Sequence, residues 1–354
     1  MSKPTLYAVL GDRARLQVAN GDSINEIRAL RVLSSVFDVY YNNARFDPAA
    51  EIGPEGVGTD DLGPDRPYDF HYIRNNPALF AAIDGPKLCF AYPYDEAVFA
   101  EAAALVVPTG NWKDHLLRRG TDSEAKLRDV YEGVAPEFGC PVLTLGQTID
   151  PALSPDPDAI PDAGRGRRAF AMRAKLTGAR AFGLYGNLNK SLYPYRGFAA
   201  LERLARERGG ADPVIALAGR FRAQSRISYA NSVYLGQIPH RDMGALYAST
   251  WAVMTNESPL NHCLGNQKTL EAMQLGLPVF CQRLDTFEMQ LGADYPGLYA
   301  DEEEAYAIAA RLLDDPDFAE DLRARSRARA PFFTVEAAAR AFRAQPELAG
   351  LLAG

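Results

Sequence analysis

Residues 232–281 read SVYLGQIPHRDMGALYASTWAVMTNESPLNHCLGNQKTLEAMQLGLPVFC. The short apolar runs Ser232–Leu235, Ala252–Thr255 and Pro278–Cys281 read as strands of a buried parallel sheet. Between them, Arg241–Ser249 and Gln267–Leu275 carry apolar residues at helical spacing. The order of strand, glycine turn, helix, strand, polar loop, helix and strand is that of βα units.

Working outward, the same alternation continues in both directions. Upstream it predicts strands at Ala181–Tyr185 and Pro213–Ala218 around a helix at Gly197–Glu207. Downstream come helices near Glu302–Leu313 and Pro316–Arg329, then a last helical segment, Val335–Leu352. The first half repeats the pattern, with strands at Leu6–Leu10, Asp38–Tyr41, Asp69–Ile73, Lys87–Tyr92, Leu105–Val107 and Val142–Leu145. Helices are expected at Asn25–Phe37 and Glu96–Ala103. Between the halves, DPALSPDPDAIPDAGRG (150–166) holds four prolines and sustains neither helix nor strand. The expected organisation is an α/β chain with a first Rossmann-like domain over residues 1–165 and a second over 166–334. The segment 335–354 is expected to return to the first domain.

At 354 residues, 47% hydrophobic and 23% charged, the chain has enough apolar material for two α/β domains rather than one. A net charge of -7 argues against a surface built to neutralise nucleic-acid phosphates, so no nucleic-acid partner is expected. The four cysteines, Cys89, Cys140, Cys263 and Cys281, are scattered and form no CxxC pair. They read as reduced thiols rather than metal ligands. The N-terminus lacks the apolar core of a signal peptide, and no run of about 18 apolar residues occurs. A cytoplasmic protein is the expectation. The basic run RGRRAFAMRAKL (165–176) reads either as a solvated helix face or as a peripheral contact with anionic headgroups of the inner membrane surface.

The 232–281 segment resembles the donor-binding domain of retaining glycosyltransferases of the GT-B fold, family 4 type. VYLGQIPHRDMGALYAST is similar to that family's strand, glycine turn and helix, and NQKTLEAMQLGLPVF to its next helix and strand. FGLYGNLNKSLYPYRGFAALERL resembles the glycine loop that opens the donor domain, with Arg196–Gly197 at its Lys-Gly position. The likeness spans roughly Phe182 to Phe342. It implies two Rossmann-like domains facing a central cleft, and transfer of a sugar from a nucleoside diphosphate-sugar with retention at the anomeric carbon. The acceptor would be a hydroxyl of a glycan, a lipid-linked glycan or another molecule.

Such a donor asks for cationic and N–H groups on its two phosphates and an acceptor for its ribose hydroxyls. A helix beginning at Gly265, Asn266 and Gln267 would offer unpaired N–H groups and a positive dipole end to the diphosphate, with Lys268 in its first turn. From the resemblance, Glu271 accepts from the ribose. The alternative from the residues alone is a solvated helix carboxylate paired with Lys268 at i, i+3. Lys190 and Arg196 fall in the loop where the family places basic groups. The family's Arg after the loop glycine is Asn187 here, which shifts phosphate neutralisation to Lys190, Arg196 or Arg220.

A sharper departure lies eight residues before Glu271, where the family often carries a second Glu and this chain has Cys263. Glu257 is the substitute carboxylate expected from MTNESPLN, with Asn261 and His262 as further polar groups on the donor sugar. In the first half, Gly21 and Asp22 either approach a phosphate or simply cap the following helix. Tyr94 and Asp95 stand where the family often has a cleft-wall His. His71, His115 and His240 stand alone in the sequence and read as surface or satisfied histidines. Glu257, Lys268 and Arg196 are the expected catalytic groups.

No metal and no cofactor beyond the nucleotide-sugar co-substrate is expected, because cations and a helix end do the electrostatic work and no DxD motif occurs. Two alternatives share the fold or the ligand: a nucleotide-sugar epimerase or phosphorylase, and a non-catalytic sugar-nucleotide-binding protein.

Overall fold

The computed structural model describes residues 2–9, 21–41, 44–50, 52, 67–74, 80, 82–90, 101–108, 140–153, 180–187, 196–209, 212–220, 231–255 and 265–353. Contacts divide the chain into two compact units, Met1–Ala152 with Phe333–Gly354, and Leu153–Phe332.

The first unit holds seven strands: β1 (Thr5–Val9), β2 (Asp38–Tyr41), β3 (Ala44–Arg45), β4 (Phe70–Ile73), β5 (Lys87–Phe90), β6 (Ala104–Val107) and β7 (Val142–Thr144). Their order is β3-β2-β1-β4-β5-β6-β7. All neighbours run parallel except the short β2–β3 pair at the edge. The interior strand β6 is buried at every residue, which is why ALVV shows no alternation. Helix α1 (Gly21–Leu33) starts a turn earlier than its apolar periodicity suggested and buries Ile24, Ile27, Leu30, Val32 and Leu33. Residues 96–100 of the second expected helix lie outside the described residues, and Glu101–Ala103 is irregular.

The chain leaves this unit after Ala152 and re-enters it at Phe333, and the two passages pair. The Ile149 amide donates to the Phe333 carbonyl at 2.6 Å, and Ile149 bridges Thr334. Arg31 of α1 makes a buried ion pair with Asp150 at the same place. The C-terminal segment is two helices, α8 (Val335–Arg343) and α9 (Pro346–Ala353), because Pro346 cannot continue the first. Helix α8 packs on α1, and Gln345 bonds both the amide and the carbonyl of Thr144 in β7.

The second unit contains β8 (Ala181–Asn187), α2 (Arg196–Glu207), β9 (Val214–Arg220), β10 (Ser232–Tyr234), α3 (Met243–Tyr247), β11 (Ala252–Thr255), α4 (Gln267–Gln274) and β12 (Val279–Gln282). It continues with α5 (Asp285–Leu291), β13 (Leu298–Tyr299), α6 (Glu302–Asp314) and α7 (Pro316–Arg329). The six strands are all parallel in the order β10-β9-β8-β11-β12-β13. Sequence reasoning missed α5 and β13, two short elements whose burial comes from the sheet they join. The core is aromatic: Phe182 meets Phe280 edge-on at 5.5 Å, and Tyr185 meets Tyr247 at 5.3 Å.

In both sheets the chain starts in the middle, builds outward to one side, then returns to the other. That reversal puts a crevice beyond the carboxyl ends of the central strands, β1 and β4 in one unit and β8 and β11 in the other.

Candidate functional site in the second unit

The carboxyl ends of β8, β9 and β11 and the start of α4 converge in the second unit. Gly186 near the end of β8 has a φ of 118°, and Gly219 beside it on β9 has a φ of 137°. A Cβ on Gly219 would stand 1.6 Å from the Gly186 carbonyl oxygen, so only glycine permits the two backbones this approach. The Gly219 amide donates to the Gly236 carbonyl at 2.8 Å, and the Tyr234 hydroxyl donates to the Gly219 carbonyl at 2.8 Å. The end of β9 is thereby tied to β10 and to the turn that follows it.

Helix α4 begins beside them. Asn266 is 3% exposed, and its Oδ1 accepts from the Lys268 amide at 3.0 Å and the Thr269 amide at 3.2 Å. This corrects the expectation of unpaired N–H groups there: a good N-cap residue stands at the helix start and consumes two of them. Asn266 is in turn held by Gln290, whose Nε2 donates to its carbonyl at 3.0 Å. The Thr269 hydroxyl reaches Thr255, the last residue of β11, at 3.2 Å. Gly265 has a φ of 80° and Gln267 is the first helical residue.

Lys268 and Glu271 leave this helix in separate directions. A Cβ on Gly186 would come 2.0 Å from Lys268 Cε and 2.6 Å from its Nζ, so the lysine lies across the Gly186 backbone at the end of β8. Glu271 is 6% exposed. Its Oε2 accepts from the Tyr247 hydroxyl at 2.9 Å, and its Oε1 lies 3.2 Å from His240 Nε2. Glu271 is therefore a buried carboxylate with dedicated partners, not the solvated helix carboxylate of the alternative reading. His240, read as standing alone, belongs to this cluster, and Tyr247 was missed altogether. Both lie 24 or more residues from Glu271 along the chain, beyond what local spacing reveals.

The other predicted groups divide in two. Arg196 opens α2, Asn187 and Arg220 are register partners at the ends of β8 and β9, and Gly21 and Asp22 open α1. These are backbone placements, each at the carboxyl end of a strand or at a helix start. Lys190, Glu257, Asn261, His262, Cys263, Tyr94, Asp95 and the basic run 165–176 lie outside the described residues. His71, on β4, is 5% exposed against Tyr7 and Tyr68 in the first unit. Burial, then the nearby Lys87 charge, lower its pKa from the usual 6.5.

Among the described residues, no group of three or more His, Cys, Asp and Glu is placed to hold a metal, and no helix is long and apolar enough to cross a membrane. Cys89, Cys140 and Cys281 are free thiols, and burial pushes each pKa upward.

Residues 196–343 match the family described as glycosyl transferase-like. No curated protein matches the sequence closely enough to count as a relative. Among solved structures, the chain resembles sucrose-phosphate synthase from Thermosynechococcus elongatus, with 16% identity, 96% of each chain covered and a TM-score of 0.57. It also resembles α,α-trehalose 6-phosphate synthase from Burkholderia multivorans, at 13% identity over 100% of this chain and 99% of that one, with a TM-score of 0.59. A UDP-forming α,α-trehalose-phosphate synthase from Burkholderia xenovorans in complex with glucose-6-phosphate matches 80% of this chain and 73% of its own at 13% identity, TM-score 0.54. Residues 196–343 thus match the glycosyl transferase-like family, and the chain as a whole carries the fold of the GT-B glycosyltransferases.

Proposed function

We propose that the protein is a retaining, metal-independent glycosyltransferase that moves a sugar from a nucleoside diphosphate-sugar to an acceptor hydroxyl. The observation that carries this reading is the buried Glu271 carboxylate, held by His240 and Tyr247, with Lys268 one helical turn away across Gly186. A carboxylate accepts from ribose hydroxyls; an ammonium over a bare glycine backbone meets the diphosphate. Lys268 stabilises the charge that develops on the leaving diphosphate, with Arg196, Lys190 and Arg220 as further cations. The departing phosphate takes the acceptor proton as the new glycosidic bond forms and the donor bond breaks. Glu257, Asn261 and His262 are assigned to the donor sugar.

The likeness to a UDP-forming trehalose-phosphate synthase solved with glucose-6-phosphate supports UDP as the first nucleotide to test and a phosphorylated sugar as an acceptor class beside glycans and lipid-linked acceptors. The test is a thermal-shift series with UDP, GDP, ADP and CMP on the wild type and on Glu271→Ala. At least one nucleotide stabilises the wild type, and the variant loses that shift while keeping its fold. No shift with any of them would overturn the nucleotide reading. Incubating the matched sugar nucleotide without acceptor separates transfer from epimerisation, since an isomerised sugar would replace the transferase assignment.

A further inference from the structure

The geometry points to His240 as a positioning residue that, together with Tyr247, fixes the orientation in which the Glu271 carboxylate meets a vicinal diol. This inference rests on the nucleotide-sugar reading above and adds to it a positioning residue.

Three features carry it. First, both grips come from one short segment: His240 opens a 3-10 turn, His240–Asp242, that runs directly into α3, and Tyr247 ends α3. Second, the two grips differ in rigidity. Tyr247 is 1% exposed, and its ring is wedged edge-on against Tyr185, whose hydroxyl is hydrogen-bonded to Thr250. The Thr250 hydroxyl donates to the Leu246 carbonyl at 2.7 Å, tying the end of α3 to the same knot. His240 retains 12% side-chain exposure, so it is the arm nearer the open side. Third, the grips take different oxygens, Oε2 for the phenol and Oε1 for the imidazole. A carboxylate only accepts, so the imidazole contributes an Nε2–H.

A glutamate side chain gripped at both oxygens has lost its rotamer freedom at folding rather than at binding. Its two oxygens then present a fixed edge, which matches two neighbouring hydroxyls and no single one. A ligand lacking those hydroxyls would cover the remaining lone pairs of the two oxygens without supplying donors to them, which weakens its binding relative to the diol.

The experiment measures, by calorimetry, the binding of UDP, GDP and ADP to the wild type, and then of the 2′,3′-dideoxy form of whichever nucleotide binds. The same pair is measured on His240→Ala and His240→Gln. The wild type prefers the ribonucleotide, His240→Ala binds it about tenfold more weakly, and the dideoxy form binds both proteins alike. His240→Gln, which keeps an Nε2 donor, restores most of the affinity. Equal weakening of both nucleotides, or none of either, overturns the positioning role while leaving the nucleotide reading standing. If the wild type binds none of the three nucleotides, the reading beneath it fails as well.

Discussion

The Tyr247 hydroxyl donates to Glu271 Oε2 at 2.9 Å inside the core of the second unit, linking the end of α3 to the second turn of α4. Tyr247 is 1% exposed and Glu271 6%. Burying a carboxylate is costly unless donors meet it, so this bond is part of what allows Glu271 to stand there. Tyr247→Phe keeps the ring against Tyr185 and removes only the donor. It is expected to lower the unfolding free energy by about 1.5–3 kcal/mol, measured by urea denaturation, and to weaken nucleotide binding as well.

Lys268 reaches across the Gly186 backbone and away from Glu271. Its expected partner is a diphosphate, and the cost of losing it should follow the phosphates rather than the nucleoside. Lys268→Met is expected to weaken UDP binding by about tenfold or more while leaving uridine binding unchanged. Calorimetry with the two ligands checks it.

Gly219 faces the Gly186 carbonyl at a distance that admits no side chain. Gly219→Ala must push β8 and β9 apart at the site and also strains a φ of 137°. A loss of about 3 kcal/mol or more in stability is expected, with nucleotide binding reduced in whatever folded protein remains. Thermal unfolding with and without UDP reads both effects.

His71 supplies a pH dependence in the first unit. Burial, and then the Lys87 charge, hold its folded pKa below the usual 6.5. The unfolded chain therefore takes a proton near that pH which the folded protein refuses, and stability falls as the pH drops below about 6.5 towards the folded value. Above that range both states are neutral and the term vanishes. His71→Phe is expected to flatten the stability curve below about pH 6.5, as read by chemical denaturation across pH.

The central strands were legible because parallel strands buried on both faces leave continuous apolar runs. ALVV at 104–107 and VFC at 279–281 can be little else. Helix α4 was legible too, since Asn266 stands at its start and Pro278 just beyond its end. The edge strand β3, the equally short β13 and α5 left no comparable trace, because elements this short draw their stability from the sheet they join. Two of the N–H groups expected to be free at α4 are taken for a local reason: Asn266, assigned to the ligand, is also the helix cap.

Periodicity and turn residues, which act between near neighbours, sufficed for two βα-wound units and for Lys268 and Glu271 on one helix. They could not say where those side chains point. That Glu271 meets His240, 31 residues away, and that Lys268 lies over Gly186, follow from how strands β8 to β11 are ordered and how α3 and α4 pack on them. Burial of a charge is a property of that packing, since only the assembled core removes the water and supplies the donors that replace it.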